Sequence, residues 1–187
     1  MTSFSAALLA GGQSTRMGRD KALLPVPNSG LLLWQRQLAL LDELQPDEIF
    51  WSGPPRPHLP ARLRIVADEV PDAGPLGGVS ACLNLMRSDL LLVLAIDLPQ
   101  MEAFFLTELL QRCSSTQGCV MHQGRFFEPL AAVYPRSIAS LAQQHLHHRH
   151  YALQDLVREA IEQKMMQSFP VVEESRILFR NWNTPTS

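Results

Sequence analysis

A chain of 187 residues, 46% hydrophobic and 18% charged, has the length and profile of one folded domain spanning residues 1–187, not of a disordered or fibrous chain. Its formal net charge of −2 argues against the broad basic surface that nucleic acid or an anionic membrane selects. Three cysteines without paired spacing (Cys82, Cys113, Cys119) predict reduced thiols and a cytoplasmic location, no cationic leader precedes the first apolar run, and no apolar run is long enough for a bilayer.

The apolar run at 4–9 predicts a buried first strand that delivers a glycine loop at its carboxyl end. Pro25, Pro27 and Gly30 then break the chain, and the spacing of Leu33, Trp34, Leu38, Leu41 and Leu44 predicts a helix over 31–44. A short strand is predicted over 47–52, a proline-rich loop over 54–60 and a third strand over 63–67. Asp-Ala-Gly-Pro-Leu-Gly-Gly at 72–78 opens a helix running to about residue 87. The most apolar run, 89–96, predicts a central strand buried on both faces and ending at Asp97-Leu98-Pro99. A helix follows over 102–113, then strands over 119–122 and 126–134 joined through Gln123-Gly124-Arg125. Helices over 137–146 and 151–163 and a strand over 164–172 complete the pattern. Strands alternating with helices predict a three-layer α/β/α sandwich on a mostly parallel sheet. Ligands bind such sheets at the carboxyl ends of the strands, where Ala10, Gly11, Gly12, Ser52, Asp68 and Asp97 all fall.

The loop at 8–21 reads Leu-Leu-Ala-Gly-Gly-Gln-Ser-Thr-Arg-Met-Gly-Arg-Asp-Lys. Gly11 and Gly12 let the backbone turn sharply and approach a ligand, Ser14 and Thr15 leave amides uncovered, and Arg16 and Lys21 add cations. A concave row of amides beside positive charge suits a phosphate. Neither common phosphate-loop pattern is present. Asp97, at the tip of the most buried strand, needs a cation, hydrogen bonds or solvent, and reads as a magnesium ligand or as a cap on the next helix. The histidines at 145, 147, 148 and 150 read as a polar helix end, because zinc wants three or four ligands in fixed geometry.

The loop resembles the N-terminal signature of small nucleotidyltransferases, Leu-Ala-Gly-Gly-x-Ser-x-Arg-Met-Gly-x-Asp-Lys. It is most similar to that of the molybdenum cofactor guanylyltransferases of the MobA-like family. The motifs Gly-Pro-Leu-Gly-Gly at 74–78, Asp97-x-Pro99, Glu128-Pro129-Leu130 and Asn181-x-Asn183-Thr-Pro resemble that family in its order. The resemblance implies a Rossmann-like nucleotidyltransferase fold, similar to the glycosyltransferase-A class. It implies a cytoplasmic enzyme that moves GMP from GTP to the phosphate of molybdopterin and releases pyrophosphate, with Mg2+ on Asp97. Arg16, Lys21, Asp97 and Asn183 would then be catalytic. Leu9, Ala10, Gly11, Gly12, Lys21, Ser52, Asp68, Gly78 and Asp97 would bind nucleotide, with Ser52 standing where related sequences often carry Asn. Glu128 and Asn181 would serve the acceptor, and molybdenum-insertion proteins or molybdoenzymes are the implied transient partners. A related cytidylyltransferase, a sugar-phosphate nucleotidyltransferase and an inactive nucleotide-binding module remain as alternatives, because the residues alone do not choose the base.

Overall fold

The structure, a computed structural model, describes residues 2–11, 21–27, 29–56, 58–67 and 70–182. Seven strands form one sheet in the order β3-β2-β1-β4-β6-β5-β7. They are β1 (Phe4–Leu9), β2 (Ile49–Ser52), β3 (Arg64–Val66), β4 (Leu90–Ala95), β5 (Gly118–Gln123), β6 (Phe126–Pro135) and β7 (Met166–Pro170). β1 pairs in parallel with β2 and β4, β2 with β3, and β5 with β7, whereas β6 pairs antiparallel with both β4 and β5. β6 therefore runs against the other six. The reversal follows from the tight turn at Gly124 and Arg125, where Gly124 takes φ 59°, a conformation that favours a residue without Cβ.

Strand side chains alternate between two cores, as a two-residue period requires. Ala6, Leu8, Leu90, Leu92 and Leu94 face one side, with Trp34, Leu38 and Leu41 of α1 (Leu33–Glu43) and Leu106 and Leu109 of α3 (Ala103–Gln111). Ala7, Leu9, Leu91 and Val93 face the other, with Leu76, Val79 and Leu83 of α2 (Pro75–Leu85). Leu141 of α4 (Ala139–His147) and Leu156 and Val157 of α5 (Leu153–Glu162) complete that second core. Every residue of β4 is buried, as its unbroken apolar run predicts. The result is the expected mostly parallel three-layer α/β/α sandwich.

The differences from the sequence reading sit at the joins. A 3-10 turn spans Lys21–Leu23, another precedes α4, and a third occupies Glu173–Phe179 after a β7 shorter than the predicted strand. None carries an apolar period of its own. The third is held by the packing of Leu178 and Phe179, with the Phe179 ring edge-on to Phe105 at 5.3 Å. No helix among the described residues is long and apolar enough to cross a membrane.

Candidate functional site

The parallel strands present their carboxyl ends on one edge of the sheet, and the glycine loop leaves β1 there. The Ser52 carbonyl accepts from two amides, Ala10 N at 2.7 Å and Gly11 N at 3.0 Å, so the loop starts clamped against β2. Leu9 O accepts from Ile96 N at 3.0 Å, which ties the same loop to the end of β4. Leu9, Ala10 and Ser52 are buried, whereas Gly11 is exposed. At this edge of the sheet glycine is sterically required at Gly53: a Cβ there would lie 2.7 Å from both Ala10 C and Gly11 N. A Cβ on Gly11 would meet nothing nearer than 3.8 Å. Gly53 had no signal in the sequence beyond the prolines that follow it.

Lys21 and Asp97, 76 positions apart, meet on this edge. Lys21 Nζ lies 3.4 Å from Asp97 Oδ2, with the two side chains 23% and 24% exposed. Lys21 opens the 3-10 turn whose Ala22 is buried in the core under α1, so its backbone is anchored while its ammonium reaches the edge. An ammonium beside a carboxylate, both partly exposed at the carboxyl edge of the sheet, is an arrangement that handles an oxyanion together with its counter-ion.

The backbone around Asp97 is held by remote groups. Asp97 O accepts from Trp182 N at 2.9 Å, which brings the C-terminal segment to the site. Gln37 of α1, fully buried, donates its amide to Leu98 O at 2.7 Å and at longer range to Ala95 O and Ile96 O. Arg36 donates to Gln37 Oε1 at 3.0 Å and to Met101 O at 2.8 Å. Burial lowers the Arg36 pKa, and the charge of Glu102 works in the opposite direction. Sequence reading missed this pair. The available signal was a glutamine on the apolar stripe of α1, between Trp34 and Leu41.

The other predicted positions distribute as follows. Gly78 is buried in the first turns of α2, which opens at Gly74 (φ 60°) with Pro75 next. Because α2 follows β3, its N-terminus lies on the same edge as the strand ends. Glu128 sits near the start of the reversed strand. The register that pairs Leu94 with Ala131 puts Glu128 beyond the end of β4, on the Asp97 edge. Burial raises the Glu128 pKa, opposed by the Gln123 amide that donates to its Oε1 at 2.7 Å. Asn181 is exposed and adjoins Trp182, hence close in sequence to the contact with Asp97. Gly12, Arg16, Asp68 and Asn183 lie outside the described residues. Away from the site, His145 is buried between α4 and α5, its Nε2 2.9 Å from Glu159 Oε2, while the other three histidines of that segment are exposed. Cys82 and Cys119 are buried and Cys113 partly so.

Among the described residues no three His, Cys, Asp or Glu side chains gather into a metal-binding group. Asp97 offers one partly exposed carboxylate whose backbone is already fixed. That donor set suits a hard cation that takes one or two protein oxygens and draws the rest of its shell from phosphates and water.

Comparisons with known proteins match this geometry. Residues 6–165 match the MobA-like NTP transferase domain. A probable molybdenum cofactor guanylyltransferase of Opitutus terrae is 35% identical over 98% of this chain and 92% of that protein. A molybdenum cofactor guanylyltransferase of Syntrophotalea carbinolica is 33% identical over 80% of this chain and 71% of that protein. The crystal structure of molybdopterin-guanine dinucleotide biosynthesis protein A from Archaeoglobus fulgidus superposes with a TM-score of 0.73 at 21% identity, covering 97% of this chain and 93% of the other. The match over most of the chain, on a sheet at whose edge Lys21 meets the strand-end carboxylate of Asp97, places the protein in the MobA-like NTP transferase family, as a nucleotidyltransferase.

Proposed function

We propose that this nucleotidyltransferase moves GMP from GTP to the phosphate of molybdopterin and releases pyrophosphate. The observation that carries the reading is the meeting of Lys21 and Asp97 beside the Ala10–Gly11 turn, in a chain whose curated relatives are guanylyltransferases. An oxygen of the acceptor phosphate attacks the α-phosphorus of GTP. The new P–O–P bond forms as the α–β anhydride bond breaks, and the electron pair leaves with pyrophosphate. The acceptor phosphate is already ionised, so no general base is needed and no covalent enzyme intermediate forms.

The chain's residues bind and orient. The exposed Gly11 leaves the backbone after β1 open to the nucleotide phosphates, and Gly12 joins it in binding nucleotide. Lys21 lies at the α-phosphate and Arg16 at the outer phosphates, where they stabilise the charge of the transition state. Leu9, Ala10, Ser52, Asp68 and Gly78 serve to bind the nucleotide, and Glu128, Asn181 and Asn183 serve the acceptor phosphate. Asp97 would hold Mg2+, which supplies neutralising charge on the phosphates. The enzyme acts as one domain in the cytoplasm, where its cysteines stay thiols, and passes its product on in transient contact with molybdenum-insertion proteins or molybdoenzymes.

The test is Mg2+-dependent pyrophosphate release from GTP, CTP, ATP and UTP, each with and without molybdopterin. Turnover with GTP that requires molybdopterin supports the reading. Preference for CTP moves the assignment to a cytidylyltransferase, and tight nucleotide binding without turnover makes the chain a binding module.

A further inference from the structure

Gln37 occupies a position where a helix facing the core carries an apolar side chain. Its neighbours on the stripe of α1 are Leu33, Trp34, Leu38 and Leu41, and it is fully buried with them. A primary amide in such a place is costly unless every polar atom finds a partner. Here the partners of its nitrogen all belong to one short segment, residues 95–101, which carries Asp97. The amide nitrogen meets Leu98 O at 2.7 Å, Ala95 O at 3.4 Å and Ile96 O at 3.5 Å. Its oxygen accepts from Arg36 Nη1 at 3.0 Å. A guanidinium only donates, so this contact fixes which end of the amide faces the carbonyls. Arg36 Nη2 then takes Met101 O at 2.8 Å, at the far end of the same segment.

With Trp182 N on Asp97 O and Ile96 N on Leu9 O, the backbone on both sides of the carboxylate is held while the carboxylate itself remains partly exposed. Satisfying a strand end requires fewer groups than these, since Met101 N already donates to Leu98 O at 3.1 Å. A single carboxylate that must share a cation with phosphates gains most from a backbone ordered before the ligand arrives.

We infer that Gln37 and Arg36 are positioning residues for Asp97: through the carbonyls of residues 95–101 they set the carboxylate for a divalent cation bound together with the nucleotide. The inference rests on the nucleotidyltransferase reading of Asp97 given above.

The test measures protein-bound Mn2+ by the water-proton relaxation enhancement of the protein–GTP–Mn2+ complex over GTP–Mn2+ alone, on the full chain. Gln37→Met keeps much of the side-chain volume and removes the donor. Arg36→Lys keeps the charge and loses the fork that grips Gln37 and Met101 together. Ser88→Ala, on the opposite edge of the sheet, removes the Ser88 hydroxyl bonded to Asp47 and serves as the stability control. The expected result is about a tenfold weaker Mn2+ dissociation constant for Gln37→Met and a smaller loss for Arg36→Lys, with metal-free GTP affinity unchanged and Ser88→Ala like wild type. If Gln37→Met proves too unstable to purify, Arg36→Lys alone decides the matter by the same readout. Unaltered Mn2+ affinity in the folded variants overturns the positioning role, as does a loss of melting temperature with no change in metal affinity. Wild-type protein that takes up no Mn2+ with GTP, CTP, ATP or UTP overturns the metal-carboxylate reading, and the positioning role with it.

Discussion

Gly53 and Gly124 both hold positive φ, yet a methyl group added at each meets different surroundings. At Gly53 the new carbon would press on backbone atoms of Ala10 and Gly11 that cannot turn aside, whereas at Gly124 nothing lies within 4 Å. Gly53→Ala is expected to cost about 3 kcal/mol or more in urea unfolding, from clash added to backbone strain. Gly124→Ala should cost about 1 kcal/mol, from the left-handed conformation alone. Equal losses at the two sites would refute the claim that contact with the loop after β1 makes Gly53 special. The same scale carries the chemical prediction. Asp97→Ala and Lys21→Ala should melt like the parent, because both side chains are partly exposed at an edge, yet lose pyrophosphate release by a hundredfold or more, about 3 kcal/mol. Near-full turnover by a well-folded Asp97→Ala protein sinks the proposed mechanism. Both of those residues are legible in the sequence, Lys21 through the length of its motif and Asp97 through the apolar run before it. Gln37 and Arg36 are legible only in part: a glutamine on an apolar stripe marks a buried amide, but the carbonyls it serves are placed next to it by the fold alone.

Elements are joined at the opposite edge of the sheet by one carboxylate. Glu48, just before β2, accepts from Ser5 of β1, from the backbone N–H of Arg87 after α2, and from Arg64 of β3, the last at short range. Burial by itself would raise the Glu48 pKa, but the Arg64 hydrogen bond, the Arg87 amide, the Arg64 charge and the Ser5 hydroxyl outweigh it and hold the carboxyl below its ordinary 4.5. A pKa lowered by folding means the unfolded chain binds the proton more readily. The stabilisation is therefore complete above the ordinary value and is lost as pH falls through the lower, folded one. Glu48→Gln is expected to lower unfolding free energy by about 1–2 kcal/mol at neutral pH. The gap should narrow once the solution is more acidic than 4.5, as followed by urea titrations across pH. A gap that stays constant would show that the charge of Glu48 contributes nothing. Among the elements, β1 is legible from end to end because its apolar run is closed by glycine. The 3-10 segment Glu173–Phe179 is not, since Phe179 finds its ring partner Phe105 on α3, far away in the chain.

The whole molecule stacks two cores on strands they share, with Trp34 and Trp51 on one side and Tyr134 on the other. The two tryptophan rings meet edge-on at 6.4 Å. Because β1 and β4 contribute alternate residues to both cores, neither layer can lose its packing without exposing the back of the other. We therefore expect one cooperative urea transition, with tryptophan fluorescence and far-ultraviolet circular dichroism coinciding at one midpoint. Separated midpoints would show that the layers unfold independently. The sequence by itself determined the alternation of strands and helices, the burial of β4, the glycine loop and the family motifs. These are local patterns: an apolar period and a run of small residues act over a few positions. Tertiary structure alone decided that Lys21 reaches Asp97, that Trp182 and Gln37 hold the backbone there, and that β6 turns its start back toward the same edge. Each of those depends on strand order and register, which bring together residues separated by tens of positions and leave no periodic trace in the chain.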